Sequence, residues 1–251
     1  MGAPRSRAAL GFLPLLLAVL MGSRVLAKNG VDLFVSSTLR TWANVSRMVV
    51  DKDTGKNDPN YHSYTEVELV CRSDKDAHYN LAQAGFVSKP GSDLADSLGY
   101  DDDVLFVVFA KSENETIDRP GNESALCLFP LEAPVSITDL FCGLEVNTPL
   151  EGSKPITAKS ALSYTDTQLT SVAATTIYNF TAVFLGTNRG HLKKVLLESA
   201  TSGYEVDDIA VDEGNPVLRD MLFDASKDRI YVMTDYMFKS ASVPIIKLKL
   251  E

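Results

Sequence analysis

Hydrophobic and polar positions in this chain alternate mostly with the period of β-structure. Glu66–Val70 alternates acid and apolar residues with period two, the pattern of a half-buried strand. Val104–Ala110 (VLFVVFA) is an unbroken apolar run with the length and composition of a central strand, and Ala125–Phe129 is a shorter one stopped by Pro130. The C-terminal third is the most regular. Leu169–Ala174, Thr181–Gly186 and His191–Leu197 read as successive strands, the last two joined by the turn signal Thr187-Asn188-Arg189-Gly190. Tyr204–Val211, Val217–Phe223 and Arg229–Thr234 continue the series across Glu213-Gly214-Asn215-Pro216 and Asp224–Asp228. Strands this short at this spacing predict an antiparallel meander, as in a propeller blade or a sandwich. Tyr79–Leu98, with NLAQAGF and DLADSL near helical spacing, is expected to be a short helical or irregular insertion.

The first 27 residues follow another rule. Arg5 and Arg7 precede the 14-residue apolar stretch Ala8–Met21, and Val25-Leu26-Ala27 ends on a small residue, so residues 1–27 read as a secretory signal peptide. The stretch is short of the roughly 20 residues a membrane helix needs, and no later segment approaches that length. The expected mature product is lumenal or secreted, with no membrane span of its own. Four N-glycosylation sequons agree with that compartment, at Asn44, Asn114, Asn122 and Asn179.

Composition narrows the function. The chain has 251 residues, 45% hydrophobic and 23% charged, with a mean hydropathy of zero, which excludes wholesale disorder. Its net charge of −9 becomes −12 once Arg5, Arg7 and Arg24 of the leader are removed. So acidic a surface repels phosphate backbones, and no nucleic-acid partner is expected. Asp51-x-Asp53-x-Gly55 resembles the opening of a calcium loop, but the twelfth position holds His62 where a bidentate Glu is required. Asp101-Asp102-Asp103 reads as a solvated loop that keeps the following apolar run out of edge pairing. No nucleophile elbow, phosphate-cradling glycine loop or H-E-x-x-H appears, so neither catalysis nor a cofactor is expected. The cysteines Cys71, Cys127 and Cys142 lack C-x-x-C spacing and the histidines are only His62, His78 and His191, which argues against a metal centre. Three cysteines cannot all pair within one chain. Either the chain dimerises through a leftover thiol or the sequence lacks partner cysteines.

Several segments, in order, resemble the plexin family. LTSVAATTIYNFTAVFLGTNRGHLKKVLLE (169–198) is similar to that family's T-S/A-V-A strand followed by V-F-x-G-T-x-x-G-x-x-K-K, and GNPVLRDMLFDASKDRIYVMT (214–234) is similar to its G-S-P-I-L-R-D…Y-L-Y-V-M-T. Asp58–Val67 resembles D-P-x-F/Y-Y-S-Y-x-E, Asp101–Ala110 with Glu123–Phe129 resembles D-D-V-L-F-x-V-F-A…S-A-L-C-L-F, and Ser36–Gly55 resembles a first strand. The resemblance implies an all-β sema domain, a seven-bladed β-propeller of four-stranded antiparallel blades. In the family this domain binds semaphorin protein at the tip of a single-pass cell-surface receptor for cell and axon guidance.

Seven blades need roughly 280–315 residues, whereas residues 28–251 number 224. The resemblance therefore implies a partial sema domain over 28–251, with internal deletions near 56–57 and 132–136. It also implies that Cys71, Cys127 and Cys142 have lost their partners and stay unpaired. Leu218-Arg219-Asp220 is expected to serve blade packing, and no ligand-contact residue is assigned. The expected function is the semaphorin-binding module of a plexin-like receptor, here a shortened fragment of poor autonomous stability and weak semaphorin binding. A secreted decoy is the second reading, a propeller-type glycan hydrolase the third. The implied partners are a semaphorin ligand and a plexin or co-receptor copy for self-association.

Overall fold

A computed structural model describes residues 22–27, 31–37, 43–49, 65–114, 117–131, 150–151 and 155–243. Strands dominate: β1 (Gly22–Ala27), β2 (Val31–Ser37), β3 (Ala43–Val49), β4 (Thr65–Arg72), β5 (His78–Tyr79), β6 (Leu81–Ser88), β7 (Val104–Asn114), β8 (Ile117–Pro130), β9 (Leu150–Glu151) and β10 (Ile156–Tyr164). They continue as β11 (Leu169–Ile177), β12 (Phe180–Thr187), β13 (His191–Ser199), β14 (Ser202–Ala210), β15 (Leu222–Phe223), β16 (Arg229–Met233) and β17 (Phe238–Ser242). One short helix, α1 (Ser92–Leu98), is found among the described residues. The result is a partial, unclosed propeller.

Two antiparallel groups of four, β1-β2-β3-β4 and β10-β8-β7-β6, share one extended sheet. Strand β10 joins them. Its first half, Ile156–Lys159, runs parallel to Leu69–Arg72 of β4, and its second half pairs antiparallel with β8 from Cys127 to Ser124. A bulge between Ser160 and Leu162 marks the changeover. Next come the four-stranded meander β11-β12-β13-β14 and the three-stranded sheet β15-β16-β17.

The stacking of these layers explains the unbroken apolar run. Strand β7 is paired on both sides, by β6 and β8, and both of its faces are covered. Val104, Phe106 and Val108 face Leu169, Val172, Val183 and Leu185 of the meander. Leu105, Val107 and Phe109 face Leu69, Cys71 and Tyr79. A residue buried on either face contributes, so period two disappears from the sequence. The meander repeats the device: its other face (Ala173, Ala182, Phe184, Leu192, Leu196) packs on Ile230, Val232 and Val243 of the last sheet and its flanks. Phe223 is wedged edge-on between Phe86 and Phe184, ring centroids 6.0 and 5.8 Å away.

Several expectations change on contact with the structure. Cys71 and Cys127 are joined to each other in a disulfide, so neither is unpaired. Strand β10 pairs with both β4 and β8, placing Ala158 opposite Cys71 and Ser160 opposite Cys127, and the two cysteine Cα atoms stand 5.9 Å apart, within bonding reach. Cys142 lies outside the described residues, as do both expected deletion points and the Asp51–Gly55 segment. NLAQAGF is strand β6, since pairing with β7 overrides the weak helical spacing, while DLADSL forms α1. Val217–Phe223 supplies only the two strand residues Leu222 and Phe223. Asp101–Asp103 does form an exposed-to-intermediate loop, with Asp102 in an ion pair to Lys89 at 2.9 Å, but β7 has no open edge for it to guard. Of the expected leader, residues 1–21 lie outside the described residues, and Gly22–Ala27 pairs antiparallel with β2 as strand β1.

Candidate functional site

Two surface features of the C-terminal half stand out, one polar and one apolar. The polar one begins with a bulge. Glu205 and Asp208 are three apart and would normally point to opposite faces of β14. The register shifts between Lys194 and Val195, however, so that Asp208 faces Lys193 while Glu205 faces Val195. Both carboxylates then share the face of Lys193, and that face looks toward β10. Lys193 Nζ lies 2.7 Å from Asp208 Oδ2 and 3.1 Å from both Glu205 carboxylate oxygens. His191 Nδ1 lies 2.7 Å from Asp208 Oδ1, and the Tyr164 hydroxyl donates to Glu205 Oε2 at 3.0 Å. The ammonium also sits 5.4 Å from the centre of the Tyr164 ring.

Burial works against charge here, and the partners overcome it. Desolvation alone would raise the Asp208 pKa, but hydrogen bonds from Lys193 and His191 hold it below the ordinary carboxylate value. Desolvation likewise opposes the Lys193 ammonium, while Asp208 and Glu205 raise its pKa overall. Burial first, then Glu205, pushes the Tyr164 phenol well above its usual range. All of these groups are engaged with one another. The cluster is an electrostatic clasp tying β14 to β13 and β10, with no nucleophile paired to a base.

The apolar feature is the outer face of β15–β17. In β16, Ile230 and Val232 are buried and Arg229, Tyr231 and Met233 point outward. Tyr231 stacks on Phe238 of β17, centroids 5.5 Å apart and planes 9° from parallel. Leu222 is 67% exposed, Phe238 65% and Tyr236 80%. The turn that carries Tyr236 and Met237 is pinned, because Thr234 accepts from the Met237 amide and donates to Asp212 Oδ2 at 2.6 Å. Aromatic and methionine side chains on a fixed support, with Arg229 as the charged member of the outward face of β16, have the composition of a protein-binding surface.

Asn122 and Asn179 are exposed, the latter in the β11–β12 turn, and Asn44 lies in β3 opposite Ser36 and Glu68. Asn114 ends β7. In the segment expected to serve packing, Leu218, Arg219 and Asp220 are all exposed. The flanking Val217 and Met221 are buried instead. Neither surface feature was assigned from the sequence. The bulge hides the carboxylate pair, and outward residues of a strand look like ordinary alternation until the missing cover is seen. Among the described residues no group of His, Cys, Asp or Glu is placed to hold a metal ion, and no helix is long and apolar enough to cross a membrane.

Comparison with known proteins gives this architecture its relatives. Residues 132–224 match the Sema domain family. Plexin-A2 of Mus musculus is 33% identical over 219 residues, taking in 72% of this chain, and Plexin-A4 of Danio rerio is 33% identical over 217 residues, also 72%. The chain spans 11% of the length of each. Among solved structures, the full extracellular region of Plexin A4 superposes with a TM-score of 0.69 at 26% identity, over 89% of this chain and 22% of that one. Drosophila Plexin A in complex with Semaphorin 1b superposes with a TM-score of 0.60 over 88% of this chain and 54% of that one, at 15% identity, a likeness of fold. With its stacked antiparallel sheets and these relatives, the chain carries a sema domain of the plexin type.

Proposed function

We propose that this chain is an extracellular recognition module of semaphorin–plexin signalling, a shortened sema domain that engages semaphorin protein and catalyses no reaction. The observation that supports this reading most is the 0.69 TM-score superposition on a plexin extracellular region over nearly the whole chain. A solved relative of the same fold is a plexin held in complex with a semaphorin. The bare aromatic face of β15–β17 adds a surface of suitable composition for a protein partner. Because the sheets do not close into a ring, affinity is expected to fall at least tenfold below that of a complete plexin ectodomain. Surface plasmon resonance on immobilised semaphorin ectodomain measures this. Affinity equal to the complete ectodomain would sink the fragment reading, and failure to compete with that ectodomain at any concentration would sink the semaphorin reading.

A second reading, a secreted decoy, draws on the cysteine count. With Cys71 bonded to Cys127, Cys142 is the one cysteine of the three outside that pair. A disulfide-linked dimer through it would appear as a doubled mass on non-reducing electrophoresis of the secreted chain, lost in Cys142→Ser. Sequencing the N-terminus of the same material tests cleavage after Ala27.

A further inference from the structure

Two sequon asparagines that are exposed, Asn122 and Asn179, share an unexpected arrangement. In Asn122-Glu123-Ser124 the asparagine is exposed while Ser124 is 0% exposed. The Ser124 hydroxyl donates to the Thr167 carbonyl and accepts from the Leu169 amide at 3.2 Å, both more than forty residues away along the chain. In Asn179-Phe180-Thr181 the asparagine is again exposed and Thr181 is 0% exposed. Its Oγ1 accepts from the Gly91 amide at 2.8 Å. The Asn179 carbonyl accepts from the Asp93 amide at 3.2 Å, and Gly91 packs so closely that a Cβ there would stand 2.3 Å from that oxygen.

An enzyme that attaches a glycan to such a triad reads the hydroxyl two residues after the asparagine, since that hydroxyl defines the triad. In the fold, both hydroxyls are committed to structure. We infer that Asn122 and Asn179 accept glycans only before β8 meets the 167–169 segment and before the Gly91–Asp93 segment docks on the β11–β12 turn, so that glycan transfer and folding compete for the same two hydroxyls. In the transfer, the asparagine side-chain nitrogen bonds to the anomeric carbon of an oligosaccharide carried on a lipid diphosphate. The bond from that carbon to the diphosphate oxygen breaks, and the amide nitrogen gives up one proton. Ser124 and Thr181 serve twice, first as recognition groups and then as internal hydrogen-bond partners. Once folded, the chain keeps whatever glycan pattern the competition has left.

This inference rests on the proposed passage through the secretory pathway, and a cell-free test separates the two. Unglycosylated full-length chain is presented to solubilised oligosaccharyltransferase with dolichyl-diphosphate oligosaccharide in two states: refolded with the Cys71–Cys127 bond closed, and reduced, alkylated and unfolded. Glycopeptide mass spectrometry is expected to show at least tenfold more transfer to Asn122 and Asn179 in the unfolded state. Equal transfer to both states overturns the inference. Gly91→Val, which blocks docking at the turn, is expected to open Asn179 in the refolded chain while Asn122 stays closed. Should that variant fail to fold, the wild-type comparison of the two states still decides. Chain recovered from secretory cells without glycans, beside normal transfer to the unfolded chain in vitro, would count against the secretory passage alone.

Discussion

The meander β11–β14 and its neighbour β15–β17 are built from similar strands, yet they end in different environments. The meander is covered on both sides, by the β6–β7–β8–β10 group and by β15–β17, so its inner strands carry almost no exposed side chains. The last sheet buries only Ile230, Val232 and their like against the meander and leaves Leu222, Tyr231, Met233 and Phe238 outside. Strand chemistry alone does not decide burial. In a stack of sheets each layer depends on the next for half of its cover, so two phenylalanines of equal size in adjacent sheets contribute very differently to stability.

Phe184 and Phe238 give the widest test of that contrast. Phe184 is fully buried and contacts the edge of Phe223, so Phe184→Ala is expected to cost about 3–5 kcal/mol in urea unfolding followed by circular dichroism. Phe238→Ala removes one stacking partner of Tyr231 on an open face and is expected to cost about 1 kcal/mol or less. Comparable losses would mean that the outer face is covered in solution.

Replacing the disulfide comes next. Cys71→Ser with Cys127→Ser opens a link spanning 56 residues and is expected to cost about 2–4 kcal/mol. Hydrogen exchange should speed in β4 and β8 and stay slow in β12 and β13. Uniform acceleration would show that the sheets melt as a single unit.

Glycines sharpen the picture further. Gly190 has φ +81° in the β12–β13 turn, and a Cβ there would meet the Asp212 carbonyl at 1.8 Å. Gly214 has φ +88° with open space around it. Gly190→Ala should therefore destabilise by about 2 kcal/mol or more and Gly214→Ala by about 1 kcal/mol, the cost of the left-handed backbone alone.

The smallest effect belongs to the clasp. The Asp208 pKa is lower in the folded chain than its ordinary 3.8. The folded state therefore binds fewer protons, and the stabilisation is complete above about pH 5 and lost as pH falls through the folded value. Asp208→Asn should cost less than about 1 kcal/mol at neutral pH, given its partial exposure, and should flatten the acid limb of the stability curve. An unchanged acid limb would leave the clasp without energetic weight.

Most of the strands were legible because they obey local rules. Leu169–Ala174 and His191–Leu197 have the right length and composition, and Gly190 punctuates the turn between β12 and β13. What escaped depends on partners distant in sequence. Strand β6 looked helical because Ala82, Ala84 and Gly85 are small, and only β7 alongside makes it a strand. The Cys71–Cys127 bond follows from β10 lying beside two different strands, which no spacing of cysteines reveals. The Lys193–Glu205–Asp208 cluster needs one extra residue, Val206, in β14, and a bulge leaves no mark in a hydrophobic pattern. The four sequons are patterns of sequence alone, and the burial of Ser124 and Thr181 is visible only in three dimensions.

Strand β10, shared between the two halves of the large sheet, has a mechanical consequence. Were β4 pulled away from β8 along the chain, the four parallel residue pairs of β10 on β4 would be loaded together, in shear. The covalent link at Cys71–Cys127 lies beside those pairs and bridges the same two strands. Tension between them would therefore be carried by the sulfur–sulfur bond before it could separate the strands, and because both cysteines are fully buried, a dissolved reductant would reach that bond only after the seam had opened.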